Sequence, residues 1–88
     1  MLRKDYVLIN QDGLTSRISS NIVSFANRFM SKISLIHEDE EANLKSIMNV
    51  MALIIRNQDN FSIVYDGEDE EQAASFINNY LISQDIAK

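Results

Sequence analysis

The sequence predicts an α+β fold, a two-layer sandwich of about four short strands in one sheet with three helices packed on one face. Three observations carry this. The 88 residues amount to one domain, with a single core and no room for a second. Hydrophobic residues make up 45% of a chain with no proline and only two glycines, the composition of a compact globule rather than a disordered tail. Segments with an apolar residue at every second position alternate with segments whose apolar residues recur every three or four. Their order is strand, helix, strand, strand, helix, strand, helix, and two layers bury both kinds of face economically.

Taken in order, Asp5 to Ile9 is a short strand closed by the turn Asn10-Gln11-Asp12-Gly13. From Ser16 onward Ile18, Ile22, Phe25, Ala26 and Phe29 recur at helical spacing, which predicts a helix of about 14 residues capped by Thr15 or Ser16. Ile33 and Leu35 alternate with Ser34 and Ile36 as a half-buried strand, and the charged turn HEDEE leads to a second strand near Glu41 to Asn43. Ser46 caps a short helix carrying Ile47, Met48, Val50, Met51 and Leu53. After a polar turn over 57–60, Phe61, Ile63 and Tyr65 alternate with Ser62 and Val64 as a strand closed by Asp66-Gly67. In the last helix Ala73, Phe76, Ile77, Tyr80 and Leu81 form one stripe, and Glu68 to Glu71 complement the positive end of its dipole. No linker, low-complexity segment or tandem repeat interrupts the chain, so 1–88 reads as one domain.

Composition also excludes. The absence of cysteine removes disulfides and thiolate chemistry and fits a reducing interior. No apolar run approaches the ~20 residues of a membrane span, and MLRKDYVLIN is too short in apolar length for a secretion signal, so no membrane is expected among the partners and the cytoplasm is the expected location. A net charge of −5 opposes direct binding of nucleic acid. Arg3, Lys4, Arg17, Arg28, Lys32 and Lys45 lie within the first 45 residues, while acidic runs fill 38–41 and 68–71, which predicts a polarised surface. The run at 38–41 lacks the alternating ligands and turn glycine of a calcium loop, and no nucleotide loop, zinc spacing or hydrolase elbow is present. Neither a metal nor a cofactor is expected.

Three stretches go further. DGLTSRIS (12–19), NLKSIMNVM (43–51) and YDGEDEEQA (65–73) resemble, in order and separation, segments of HPr, the histidine-containing phosphocarrier of the bacterial sugar phosphotransferase system. The resemblance covers nearly the whole chain. It implies the HPr-like open-faced sandwich, a four-stranded antiparallel sheet with three helices on one face in the order βαββαβα. The family's first motif is glycine, leucine, histidine, any residue, arginine, proline. Here it reads Gly13, Leu14, Thr15, Ser16, Arg17, Ile18, so Thr15 occupies the place of the phosphocarrier histidine and no catalytic residue is assigned. That loss resembles catabolite-repression HPr, a regulatory relative that carries no phosphoryl group between transport enzymes. Lys45, Ser46, Ile47, Met48, Val50 and Met51 match the family's regulatory serine and the helix after it. In the family this serine is phosphorylated by HPr kinase/phosphorylase, and the phosphorylated form binds a LacI-type transcription regulator. Asn49 and Ile54 stand where the family usually has glycine.

Chemistry weighs these residues in two ways. Neutral imidazole is a nucleophile near pH 7 and forms a labile phosphoryl bond, whereas a threonine hydroxyl needs a base and yields a stable phosphoester. Thr15 also suits a plain helix cap, worth ~1 kcal/mol. Arg17 suits either a solvated first turn or the clasp of a phosphate at a helix N-terminus. Ser46 has the same cap alternative, and Ile47, Met48 and Met51 suit either core packing or an adaptable contact surface, with Val50 and Leu53 facing the core. His37, the only histidine, is expected as a solvated loop residue. Ile18 and Ile54 are expected to enlarge an apolar patch between the first two helix starts.

The function expected on these grounds is a non-catalytic HPr-like regulator, phosphorylated on Ser46. Its partner would be bound through Thr15, Arg17, Ile18, Lys45, Ser46, Ile47, Met48 and Met51. Two alternatives stand beside it. One is an unphosphorylated interaction module, self-associating as a homodimer through the apolar patch or an exposed strand edge. The other is a phosphocarrier that uses Thr15 or another acceptor.

Overall fold

A computed structural model describes all 88 residues. The elements are β1 (Leu2–Val7), α1 (Ser16–Ala26), β2 (Lys32–His37), β3 (Glu40–Asn43), α2 (Ile47–Ala52), β4 (Asn60–Asp66) and α3 (Glu70–Ser83). They follow the expected order, and the strands form one antiparallel sheet in the order β1-β4-β2-β3. No helix is long and apolar enough to cross a membrane.

Register sorts the side chains into two faces. Ile33 lies opposite Tyr65, Leu35 opposite both Ile63 and Ala42, and Tyr6 opposite Phe61. All of these are buried beneath the helices, and the Tyr6 and Phe61 rings stack with centroids 5.2 Å apart. The helices close this face with Ile18, Ile22 and Ala26 from α1, Val50 from α2, and Ala73, Ile77 and Leu81 from α3. The other face of the sheet is polar at its β1 edge, where Ser62 Oγ donates to Asp5 (2.6 Å) and Arg3 reaches both.

Several boundaries differ from expectation for identifiable reasons. β1 begins at Leu2 rather than Asp5, because pairing with β4 runs from Leu2↔Tyr65 onward and an edge strand tolerates Arg3 and Lys4. Beyond Val7 the chain leaves that ladder. Leu8 pairs with Ala87, and Val7 and Lys88 exchange two backbone bonds of 2.7 and 3.0 Å. α1 has 11 residues rather than about 14, ending where the Asn27 side chain donates to the Val23 and Lys45 carbonyls. β2 is more than half-buried, since it is flanked by β4 and β3 and covers Ile33, Ser34, Leu35 and His37. On α3 the buried stripe takes Ala74, and Phe76 turns outward.

The α1–β2 connection is clipped to the start of α3. The Asp69 carboxylate accepts from Met30 N–H (2.8 Å), Ser31 N–H (2.9 Å) and the Ser31 hydroxyl. Gly67 lies so close that an added Cβ would sit 2.6 Å from Ser31 Cα. Gly67→Ala is therefore expected to cost about 1–3 kcal/mol in urea unfolding. Bonds to Ser31 and Met30 hold the Asp69 carboxyl below the ordinary value of 3.8. A folded-state value below the unfolded one stabilises at higher pH, so this contribution is present above pH 3.8 and is lost as pH falls through the folded value. Thermal unfolding followed across this acid range should fall more steeply for wild type than for Asp69→Asn. Parallel curves would show that the clip has no electrostatic part.

Candidate functional site

The site begins at a tight turn. Gly13 N–H donates to the Asn10 carbonyl (3.0 Å), and Asn10 Nδ2 donates to the Gly13 carbonyl (2.9 Å). Gly13 has φ +75°, and a Cβ there would meet the Ile55 carbonyl oxygen at 2.8 Å. No other residue fits both demands. The close approach lets Leu14 N–H donate to that same carbonyl (2.9 Å), which seats the start of α1 against the segment after α2. Thr15 is extended and its Oγ1 accepts from Ile18 N–H (3.2 Å), the expected cap. Arg17 is exposed and its guanidinium makes no hydrogen bond or ion pair.

α2 supplies the second half. Ser46 is its N-cap, accepting from Asn49 N–H at 3.4 Å. Val50 and Leu53 are buried, while Met48 (80% exposed), Ile54 (68%), Ile47 and Met51 face solvent. A six-residue helix has one inward face, so its remaining apolar side chains form an outward strip. The two helices run in opposite directions. The Lys45 ammonium donates to the Phe29 carbonyl (2.6 Å) beyond the end of α1, while Ile55 adjoins its start. Thr15 and Ser46 thus lie at opposite ends of α1, roughly 16 Å apart along a helix of 11 residues. The strip of Ile47, Met48, Met51 and Ile54 spans from one end to the other.

Three expectations are corrected here. Ile18 is only 6% exposed and belongs to the core, so it does not enlarge the outer apolar surface. The patch does not lie between two helix starts, because the start of α1 faces the end of α2. His37 is not solvated: it lies on β2, is 8% exposed, and its Nε2 is 3.1 Å from Asp59 Oδ2. Asp59 Oδ2 also accepts from Arg56 N–H (2.9 Å). That bond, followed by the contact with His37, holds the Asp59 carboxyl below its ordinary range. The strand period that places Ile33 and Leu35 inward does the same for His37, a signal the charged residues after it obscured.

The clefts of the molecule lie elsewhere, on the open sheet face around Lys32, Ser34 and Glu41 and along α3 beside Phe76. The acidic and histidine side chains form no group able to hold a metal ion. No titratable side chain bonds the Thr15 hydroxyl, whose one hydrogen bond is with Ile18 N–H. An apolar strip ending in a free arginine and two capping hydroxyls suits a protein surface rather than a small molecule.

Comparison with known proteins agrees on the family. Residues 2–83 match the family described as the PTS HPr component phosphorylation site. The phosphocarrier protein HPr of Lysinibacillus sphaericus is 33% identical over 88 residues, covering 100% of each chain. The solved histidine-containing phosphocarrier protein of Mycoplasma superposes with a TM-score of 0.94 at 32% identity, covering 99% of each chain. Catabolite-repression protein Crh of Bacillus subtilis, described as a swapped dimer, gives 0.74 at 31% identity over 84% of this chain and 85% of that one. These relatives overturn the expected regulatory role. The curated relatives are named phosphocarriers, and the mycoplasmal carrier superposes more closely than the catabolite-repression protein does.

Gly13→Ala is expected to lose about 1–3 kcal/mol, from positive φ and the contact with the Ile55 carbonyl. Amide exchange should show the loss concentrated at Leu14 and Ile55. A variant as stable as wild type would mean that the turn relaxes freely.

Proposed function

The chain belongs to the HPr family of the phosphotransferase system, and on that premise we propose that it serves that system as a phosphocarrier-type component. It meets partner proteins through the start of α1 and the outward strip of α2. The observation that carries this is the end-to-end similarity to named phosphocarriers, together with the exposed strip beside Thr15. Thr15 stands at the place of the carrier histidine. The loss of that histidine is what resembles the catabolite-repression branch, while the role proposed is that of the carriers.

Accepting a phosphoryl group at Thr15 would break the P–N bond of a phosphohistidine donor and form a P–O bond. The hydroxyl proton would pass to the departing imidazole nitrogen. Such transfers have loose transition states, so positioning and charge stabilisation do most of the work. The unpaired N–H groups in the first turn of α1 and the free Arg17 guanidinium provide both. The product is a phosphoester, more durable than phosphohistidine, so onward transfer is slower than acceptance. Lys45, Ser46, Ile47, Met48 and Met51 form the far end of the same docking face. A kinase reaching Ser46 there would add charge beside the apolar strip. Ile18, in the core, takes no part. The swapped dimer among the relatives supports self-association as a homodimer, and the cytoplasm is the proposed location.

The test is incubation with phosphoenolpyruvate and enzyme I, followed by intact mass and acid treatment. Thr15→His is expected to take up acid-labile phosphate quickly. Wild type should take up acid-stable phosphate at Thr15 slowly, and Thr15→Ala none. Failure of Thr15→His to accept phosphate would remove the docking reading. Uptake by Thr15→His alone would retain the docking face and remove Thr15 as acceptor.

A further inference from the structure

We propose that Met48 is a site of reversible oxidation by peroxide, and that its sulfoxide releases partner proteins from the outward strip of α2. The proposal rests on the docking face described above and concerns its regulation.

Methionine is ordinarily a residue of the interior. This chain has four methionines and no cysteine, and neither the core cluster of 21 buried side chains nor the half-buried apolar residues packed against it include a methionine. Met1, Met30, Met48 and Met51 are all exposed. All of the oxidisable sulfur therefore lies at the surface, and Met48 and Met51 place half of it in one apolar strip beside Ile47 and Ile54. Met48 is 80% exposed and Met51 42%, so a dissolved oxidant reaches Met48 first.

The reaction balances with hydrogen peroxide alone. A lone pair of the Met48 sulfur attacks one peroxide oxygen, and the O–O bond breaks. The proton of the attacked oxygen passes to the departing hydroxide, which leaves as water. Sulfur is oxidised, peroxide is reduced, and an apolar thioether becomes a polar, chiral sulfoxide. The fold does not depend on that sulfur. α2 is anchored by Val50 and Leu53, both buried, and its start is capped by Ser46 accepting from Asn49 N–H. In water the new S=O dipole is hydrated, but beneath a docked protein it must give up that hydration without a built partner. The strip keeps its place and binds less tightly. Met30 supplies an internal control: it is 90% exposed on the α1–β2 connection, so it oxidises as readily as Met48 without belonging to α2.

The chain is treated with hydrogen peroxide, freed of it, and titrated with enzyme I, while peptide mass spectrometry reads sulfoxide at each methionine. Met48 is expected to oxidise ahead of Met51, and affinity to fall about tenfold as it does. Methionine sulfoxide reductases acting on both sulfur epimers should restore it. Each variant is compared with its own untreated form. Met30→Leu should lose affinity as wild type does, and the double variant Met48→Leu/Met51→Leu should lose none. Circular dichroism of the treated chain should match that of the untreated one. Unchanged affinity with Met48 fully oxidised overturns this proposal alone and leaves the docking face standing. So does oxidation of Met51 before Met48, or a loss of affinity that persists in the double variant or accompanies unfolding. An untreated chain that does not bind enzyme I removes the docking face and this proposal together.

Discussion

One close backbone approach organises the helix layer: the Ile55 carbonyl lies against Gly13 and accepts from Leu14 N–H. It fixes where α1 begins, and so where Thr15 and Arg17 stand. The end of α1 is secured separately, by Asn27 Nδ2 donating to the Lys45 carbonyl and the Lys45 ammonium donating to the Phe29 carbonyl. With both ends tied, α2 must lie antiparallel beside α1. The outward strip of α2 is then the line that joins the two capping hydroxyls.

That arrangement separates two properties which the first motif merges. Lability of a phosphoryl bond depends on the atom that holds it, nitrogen or oxygen, and hence on residue 15 alone. The docking proposed above rests instead on the strip, on Arg17 and on the antiparallel seating, none of which includes residue 15. A threonine rather than a histidine at residue 15 therefore bears on the durability of a phosphorylated state and says little about which proteins dock. Whole-chain similarity to phosphocarriers is informative for that reason, since it samples the surface and the scaffold rather than a single position.

Much of the fold is legible in the sequence because periodicity and burial coincide in it. Ile33 and Leu35, or Ala73, Ile77 and Leu81, can satisfy their spacing only by facing the sheet–helix interface. What was not legible depends on long-range partners. Arg3 and Lys4 carry no strand signal, and β4 draws them into the ladder. Ala74 takes the inner face of α3 while the Phe76 ring packs sideways against Phe25 and Phe29, contacts with α1 and its end that the spacing within α3 does not carry. Ile18 is legible as a core residue. The spacing of Ile18, Ile22 and Ala26 that predicts α1 also places all three in the core. At the candidate site the caps, the glycine turn and the exposed methionines could be read from the sequence, but the opposed directions of α1 and α2 could not.

His37 shows how far the support of the site reaches. Its contact with Asp59 holds the turn over 56–59, in which Asp59 also accepts from Arg56 N–H and, through its carbonyl, from Leu8 N–H. The carboxyl of Asp59, held below its ordinary range, remains charged at neutral pH and keeps these bonds. This turn directly follows Ile55, so the seat of α1 is braced from the sheet side by a histidine that never reaches the surface strip. A rim braced in this way adapts little to a partner. The adaptable part is the pair of exposed methionines, whose unbranched side chains can reshape against different surfaces while the backbone beneath them stays fixed.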